Sequence, residues 1–244
     1  MSGYDCAAAI QDVYQSAFDE EGRDPAFWLR YFNPSPDADI FSDDAESECI
    51  AAWASGGHAV GCISAPVPQS LLSGSEAEGQ ADAQAFCASM LSAWDQVGPL
   101  HLPSNNQLYC WLDQEYDTSL SLPYWTGWAL YIANYNFANL KTYPLYPCVY
   151  CTPSSPFANC STFAQTSGLS IPEAIWVPVP EFCNGLADPP SWQAEECASG
   201  SKVTTKLWQY REEGVCGLSA AVDLDVGAPG FNVASYCMLV VSNP

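Results

Sequence analysis

The chain is 244 residues long, with 28 Asp and Glu against 6 Lys and Arg, a net charge of -22, and 48% hydrophobic residues. An apolar fraction of that size, with 13% of the chain aromatic, can bury a core and excludes a disordered acidic tail. Phosphate contacts need clustered cations, and three of the six (Lys202, Lys206, Arg211) fall in one short stretch among acids, which excludes nucleic acid and anionic lipid surfaces as partners.

In chain order, short apolar runs rich in β-formers alternate with longer helix-like stretches. The predicted strands are Ser2–Cys6, Phe27–Phe32, His58–Ser64, Leu108–Glu115, Leu145–Thr152, Ala174–Pro180, Lys206–Arg211 and Ala220–Val226. Between them lie predicted helices over Ala7–Glu20, Asp43–Ser55 with Ser42 as N-cap, Gly79–Val97 and Leu122–Leu140, with shorter pieces after Pro156 and Pro190. Eight strands with intervening helices predict an α/β fold, a single (β/α)8 barrel domain over residues 1–244 with some short or degenerate helices. An open doubly wound sheet is the rival, but no GxGxxG or Walker loop follows any strand. The apolar segment Phe231–Ser242 is expected to pack as a last strand or apron.

No run of 18 or more apolar residues predicts a membrane helix. Met1-Ser2-Gly3 runs straight into a strand with no basic and apolar leader, so the chain reads as a mature, exported form without its signal. Twelve cysteines, an even number spread over the whole length, predict several disulfides and a secreted, extracellular protein. Zinc is the alternative, with Cys148-x-x-Cys151 the one close pair and only His58 and His101 to complete it. Asn159-Cys160-Ser161 forms a glycosylation triplet.

The segment Leu108-Tyr-Cys-Trp-Leu-Asp-Gln-Glu115 carries the most chemistry. Alternation along a strand puts Tyr109, Trp111, Asp113 and Glu115 on one face. Two acids then point the same way at the C-terminal end of a strand, where barrels of this type build their active sites. Their Cα atoms would lie about 6.6 Å apart, which side-chain flexibility converts into either carboxylate separation used by glycosidases. Asp5 ends the first strand, and Asp223 and Asp225 lie on the eighth, so Asp5 and Asp223 should face Asp113 and Glu115 across the mouth. Crowded carboxylates raise one another's pKa, which suits Glu115, the longer and more terminal, to act as general acid. The same shell could hold Ca²⁺ or Mg²⁺ through oxygen ligands.

The ordered set G-Y-D (3–5), L-R-Y (29–31), W-L-D-Q-E (111–115), C-V-Y (148–150), A-I-W (174–176), L-W-Q-Y (207–210) and V-D-L-D (222–225) resembles the family 25 glycoside hydrolases, lysozyme-type muramidases on a β/α barrel, and the secreted barrels related to them. The resemblance implies that Asp5, Asp113, Glu115 and Asp223 line the cleft. By it, Glu115 is the proton donor, and Asp113 orients the substrate's N-acetyl group or stabilises oxocarbenium-like charge.

Sugars stack on aromatic rings, so Tyr31, Trp111, Tyr150, Trp176, Trp208 and Tyr210 qualify by position near strand ends, with Trp111 one layer below Asp113 as a floor residue. Trp53, Trp94, Trp125 and Trp128, in helix-like stretches, are expected to fill the space between helices and sheet. Gln209 is a candidate partner for a sugar hydroxyl, and Arg30 for an ion pair with a barrel acid. His58 and His101 have no partner suggesting a Ser-His-Asp arrangement, and no G-x-S-x-G elbow is present. The expectation is thus a secreted, monomeric hydrolase of a β-1,4-linked N-acetylhexosamine polymer such as peptidoglycan. Glu115 and Asp113 would be catalytic; Asp5, Asp223, Tyr31, Tyr150, Trp176, Gln209 and Tyr210 would bind substrate; no cofactor or metal is required. The alternatives are a catalytically silent barrel that binds glycan or a cell surface, and a divalent-metal-dependent hydrolase. Anionic wall polymers would repel a chain of this charge at neutral pH and low salt, so an acidic optimum is expected.

Overall fold

The computed structural model describes residues 1–32, 45–97, 107–135, 144–151, 159–197 and 201–239. Its strands are β1 (Ser2–Cys6), β2 (Trp28–Phe32), β3 (Ala59–Pro66), β4 (Leu108–Gln114), β5 (Leu145–Cys151), β6 (Ile175–Val177), β7 (Thr205–Arg211), β8 (Asp223–Gly227) and β9 (Met238–Leu239). The helices are α1 (Ile10–Glu21), α2 (Ala45–Ala54), α3 (Glu76–Val97), α4 (Leu122–Asn134) and the single-turn α5 (Cys160–Ala164). The sheet order β2-β1-β8-β7-β6-β5-β4-β3 is closed by pairing of β2 with β3, giving an eight-stranded barrel.

One strand departs from the regular pattern. β8 runs antiparallel to both its neighbours, β1 and β7. An antiparallel return needs no crossover helix, so the link from Arg211 to Asp223 is a short loop with one 3₁₀ turn. No helix forms after Pro190 either: residues 190–197 are irregular and are tied down by the Cys160–Cys197 disulfide. β6 is shorter than Ala174–Pro180 because Pro178 and Pro180 cannot donate to a ladder. The predicted last strand is reduced to β9, which pairs antiparallel with β3; Ser42, His101 and residues 240–244 lie outside the described residues.

Alternation along the strands builds two cores. Outward side chains such as Tyr4, Trp28, Cys62, Cys110, Val149, Trp208 and Leu224 pack under the helices, together with Trp125 and Trp128 of α4. Inward side chains, including Leu29, Ile63, Tyr109, Trp111, Cys148, Trp176 and Leu207, fill the barrel. The barrel bottom is plugged by Phe231 and Tyr236, whose rings lie 6.0 and 4.3 Å from Tyr109. α3 starts three residues before the predicted Gly79 because Ser75 and Glu78 form a capping box, Ser75 N–H donating to Glu78 Oε2 at 2.7 Å and Glu78 N–H to Ser75 Oγ at 3.3 Å. α3 and α4 approach so closely that a Cβ on Gly127 would lie 1.9 Å from the Glu76 carbonyl oxygen, which is why glycine stands there.

The inside–outside parity also settles several single residues. Arg30 faces outward and is paired with Glu48 of α2 at 2.6 Å rather than with a barrel acid. Cys148 faces into the barrel and Cys151 faces the helices, so the two cannot share a zinc ion. Trp53, expected in the interlayer, is 42% exposed and stacks on His58 at 4.3 Å. The disulfides present are Cys160–Cys197 and Cys183–Cys216.

Candidate active site

The mouth lies at the C-terminal ends of the parallel strands. Asp5 (β1), Tyr31 (β2), Asp113 (β4), Tyr150 (β5), Trp176 (β6) and Gln209 (β7) all have the inward parity, and reversal of β8 brings its first residue, Asp223, opposite Asp5. In a regular parallel strand the same residue would sit at the barrel bottom. Trp111 lies one layer down, 5.9 Å from Trp176, and Trp176 in turn stands 4.6 Å from Tyr150 edge to face. These rings form the floor and one wall of the mouth.

Asp113 is fully buried, and neither carboxyl oxygen accepts a hydrogen bond. Its backbone is pinned by donation from Asp113 N–H to Ser64 Oγ at 3.1 Å and by its carbonyl accepting from Val67 N–H at 2.9 Å. Burial pushes its pKa well above the usual carboxylate value, Glu115 adds to the rise, and the nearby Tyr31 hydroxyl opposes it without closing a full hydrogen bond. Glu115 stands one residue beyond β4 and is exposed. Partial desolvation and the neighbouring Glu212 both push its pKa up. The two acids of the D-x-E segment therefore play unlike parts, one sunk in the floor and one at the rim.

The opposite side is organised by a hydrogen-bonded relay. Tyr150 Oη donates to Gln209 Oε1 at 2.8 Å, which turns the amide so that Gln209 Nε2 donates to Asp223 Oδ2 at 2.6 Å. The other oxygen, Asp223 Oδ1, accepts from Glu213 N–H. Despite these donors, burial and the nearby Glu212 and Glu213 raise Asp223 to about 7. Beneath it, Asp5 and Asp225 adjoin diagonally across the β1–β8 ladder, and burial followed by their mutual interaction pushes Asp5 well up. Asp225 is fully buried, and burial pushes its pKa well up, with the adjoining Asp5 and the Trp176 indole opposing the rise. Two such carboxyls share a proton because both cannot ionise at that spacing.

Tyr210 is not part of this constellation. It neighbours inward-facing Gln209 on β7, so alternation sends it outward, where its hydroxyl donates to the Gly185 carbonyl at 3.2 Å. Trp208 faces the same way and donates through Nε1 to the Pro180 carbonyl at 2.9 Å.

No known sequence family matches the chain, and no curated protein matches it. Solved structures do. An uncharacterized B. stearothermophilus protein superposes with a TM-score of 0.70 at 17% identity, over 97% of this chain and 99% of its own. A Tat-secreted protein of Mycobacterium tuberculosis, crystallised with HEPES, follows at a TM-score of 0.55 and 15% identity over 93% and 95% of the two chains. The catalytic domain of an endolysin from a Listeria monocytogenes bacteriophage gives 0.53 at 15% identity over 94% and 95%. At such identities the likeness is one of fold: the eight-stranded barrel is shared from end to end.

Two supports of the site escape a reading by strand parity. Gln114 faces away from the mouth, and its amide nitrogen donates to the carbonyls of Tyr116 and Thr118, the latter at 3.2 Å. Its oxygen accepts from Asn159 Nδ2, while Asn159 Oδ1 accepts from Leu120 N–H at 2.7 Å. This clamp holds the 115–120 loop that carries Glu115. It also removes Asn159 as a glycosylation site in the folded chain, because the residue is fully buried with both ends of its amide engaged. The second support is acidic: Glu212 and Glu181 sit against each other on the rim beyond β7 and β6. Among the described residues no group of three His, Cys, Asp or Glu side chains is arranged to hold a metal ion.

Proposed function

We propose that the chain is a secreted, lysozyme-like glycoside hydrolase, one barrel domain over residues 1–244, that cleaves a β-1,4-linked N-acetylhexosamine polymer such as peptidoglycan. The observation that carries this reading is the split pair on β4: Glu115 exposed at the rim with a raised pKa, and Asp113 sunk behind it beside a wall of Tyr31, Tyr150 and Trp176. The fold shared with an endolysin catalytic domain supports a wall polymer as substrate. The disulfides and the fold shared with a Tat-secreted protein support export.

In this mechanism Glu115 gives its proton to the glycosidic oxygen as the bond to the anomeric carbon breaks. Asp113 accepts from the substrate's acetamido N–H and turns its carbonyl oxygen onto the anomeric carbon, so the enzyme needs no nucleophile of its own. Glu115, now a carboxylate, takes a proton from the water that opens the intermediate. Tyr150, Gln209 and Asp223 hold sugar hydroxyls, and Asp5 backs Asp223. Glu115→Gln should abolish release of reducing ends from isolated cell walls while leaving the urea midpoint of unfolding unchanged. Undiminished release by that variant would overturn the assignment. Wall binding by the wild type without any release would leave a glycan-binding barrel instead.

A further inference from the structure

Asp223 opens β8, and one of its two oxygens accepts from Glu213 N–H in the turn that precedes it, residues 212–222. The same turn carries Glu212, the neighbour of Glu115 and Glu181. Its far half is fastened to α1: Ser219 N–H and Ala220 N–H donate to the Glu20 carboxylate at 3.0 and 3.1 Å, and Leu218 is buried. The tip, residues 212–217, is held in another way. Among the described residues its backbone-to-backbone bonds stay within the turn, Val215 N–H to the Glu212 carbonyl and Gly214 N–H to the Leu218 carbonyl, both at 3.1 Å.

Such a tip would not keep its shape unaided. Gly214, Cys216 and Gly217 have φ of 77°, 59° and 82°, and Cys216 is the one non-glycine residue with positive φ among the described residues. The left-handed region disfavours any residue with a Cβ. Cys216 is bonded to Cys183, and both are exposed, so the disulfide fills no part of the core. What it joins the tip to is an anchored segment, residues 180–186. Trp208 Nε1 donates to the Pro180 carbonyl at 2.9 Å, Phe182 N–H to the Tyr210 carbonyl at 2.6 Å, and Leu186 N–H to Glu21 Oε2 at 2.7 Å. These bonds hold Cys183 in place without help from its partner.

Resting on the hydrolase reading above, we propose that the Cys183–Cys216 bond is a positioning element of the active site: it holds the turn so that Glu213 N–H meets Asp223 and fixes that carboxyl for a sugar hydroxyl. With Gln209 on one oxygen and Glu213 on the other, the carboxyl plane has a single orientation. Left with Gln209 alone it can turn, and the order lost must be restored each time a sugar binds.

The second disulfide supplies the control. The two bonds span separations of 33 and 37 residues, so loop entropy alone predicts nearly equal losses of stability when either is removed. The test compares Cys183→Ser with Cys216→Asn, asparagine being the side chain that best tolerates the left-handed φ, against Cys160→Ser with Cys197→Ser. Hydrogen exchange at the Glu213 amide should quicken about tenfold or more in the first pair and keep its wild-type rate in the second, with the β7 amides protected in both. KM for cell-wall fragments should rise several-fold in the first pair while kcat changes less, because Asp223 binds and does not react. Wild-type exchange at Glu213 in the first pair, or the same acceleration in both pairs, would overturn the inference. Exchange is read without substrate, which separates the two readings. Wild-type cleavage with a KM indifferent to the first pair removes the inference and leaves the hydrolase; selective loosening of Glu213 in a chain that releases no reducing ends keeps the tether on Asp223 and removes the hydrolase.

Discussion

Asp223→Asn should change the stability of the protein in opposite directions at acidic and at neutral pH. In the folded chain Asp223 is raised from 3.8 to about 7, a rise of about 3 units, or about 4 kcal/mol at about 1.4 kcal/mol per unit. The folded state therefore holds a proton that the unfolded chain releases, so folding becomes less favourable as pH climbs from about 4 to about 7, and the loss is complete above that. Asparagine escapes this cost because it cannot ionise. It forfeits something else: of the two donors that Asp223 accepts from, Gln209 Nε2 and Glu213 N–H, the amide oxygen can serve one, while its NH₂ faces the other. That loss is about 1–2 kcal/mol at every pH. The variant should thus be about 1–2 kcal/mol less stable than wild type near pH 4 and about 2–3 kcal/mol more stable above pH 7, with the crossing between. Urea unfolding at a series of pH values, with unchanged m, measures this directly. A variant destabilised equally at every pH would refute the reasoning, because Asp223 would then be an ordinary solvated carboxylate.

The remaining predictions follow from the clamp, the disulfides and the acid. Asn159→Ala strips a partner from both Gln114 and Leu120 N–H in a fully buried place, so it should cost about 2–4 kcal/mol and lower kcat more than it raises KM, since the Glu115 loop loosens; an unchanged kcat would separate the clamp from catalysis. Replacing Cys160 and Cys197 together by serine opens a 37-residue separation and should cost about 4 kcal/mol by the loop-entropy relation, read as a lower urea midpoint. The general acid must carry its proton, and Glu115 is raised by desolvation and by Glu212. Activity should therefore be full below the Glu115 pKa and lost as pH rises through it, and Glu212→Gln should move that loss to lower pH. A profile that stays level into the alkaline range would exclude Glu115 as the acid.

The strands were legible because period-2 alternation survives even where both faces are buried: polar Asp113 and Gln209 interrupt runs that a purely apolar strand would not break. Parity placed Asp113 on one face of its strand and the closed barrel set Asp5 across from it, whereas Tyr31, Tyr150 and Trp176 were picked by position near strand ends, in the same group as the outward-facing Trp208 and Tyr210. The direction of β8 was not legible, because V-D-L-D reads the same whichever way the strand runs, and only the missing helix between Arg211 and Asp223 hinted at a reversal. Tyr210 was misplaced by proximity in sequence to Gln209, although the same parity rule separates them. The Asn159 clamp joins residues 45 positions apart, and nothing local announces such a pairing. In the same way a glycosylation triplet is recognised by its letters and not by its burial.

Segregation of charge between the two faces of the sheet is what gives the mouth its chemistry. Arg30 has the outward parity of β2 and meets Glu48 there. Arg211 is the revealing case, because two residues past inward-facing Gln209 it should point into the mouth. A register shift between Gln209 and Arg211 in the β7–β8 ladder breaks the alternation, and such irregularities re-aim the side chains beside them. Arg211 turns outward, where it meets Glu21 of α1. Had the ladder continued unbroken, a guanidinium would face Asp223, stabilise its charged form and pull its pKa down. A mouth so neutralised would lose the raised acid at Asp223. The bulge thus connects strand register to proton affinity: one displaced residue keeps Arg211 on the far side of the sheet.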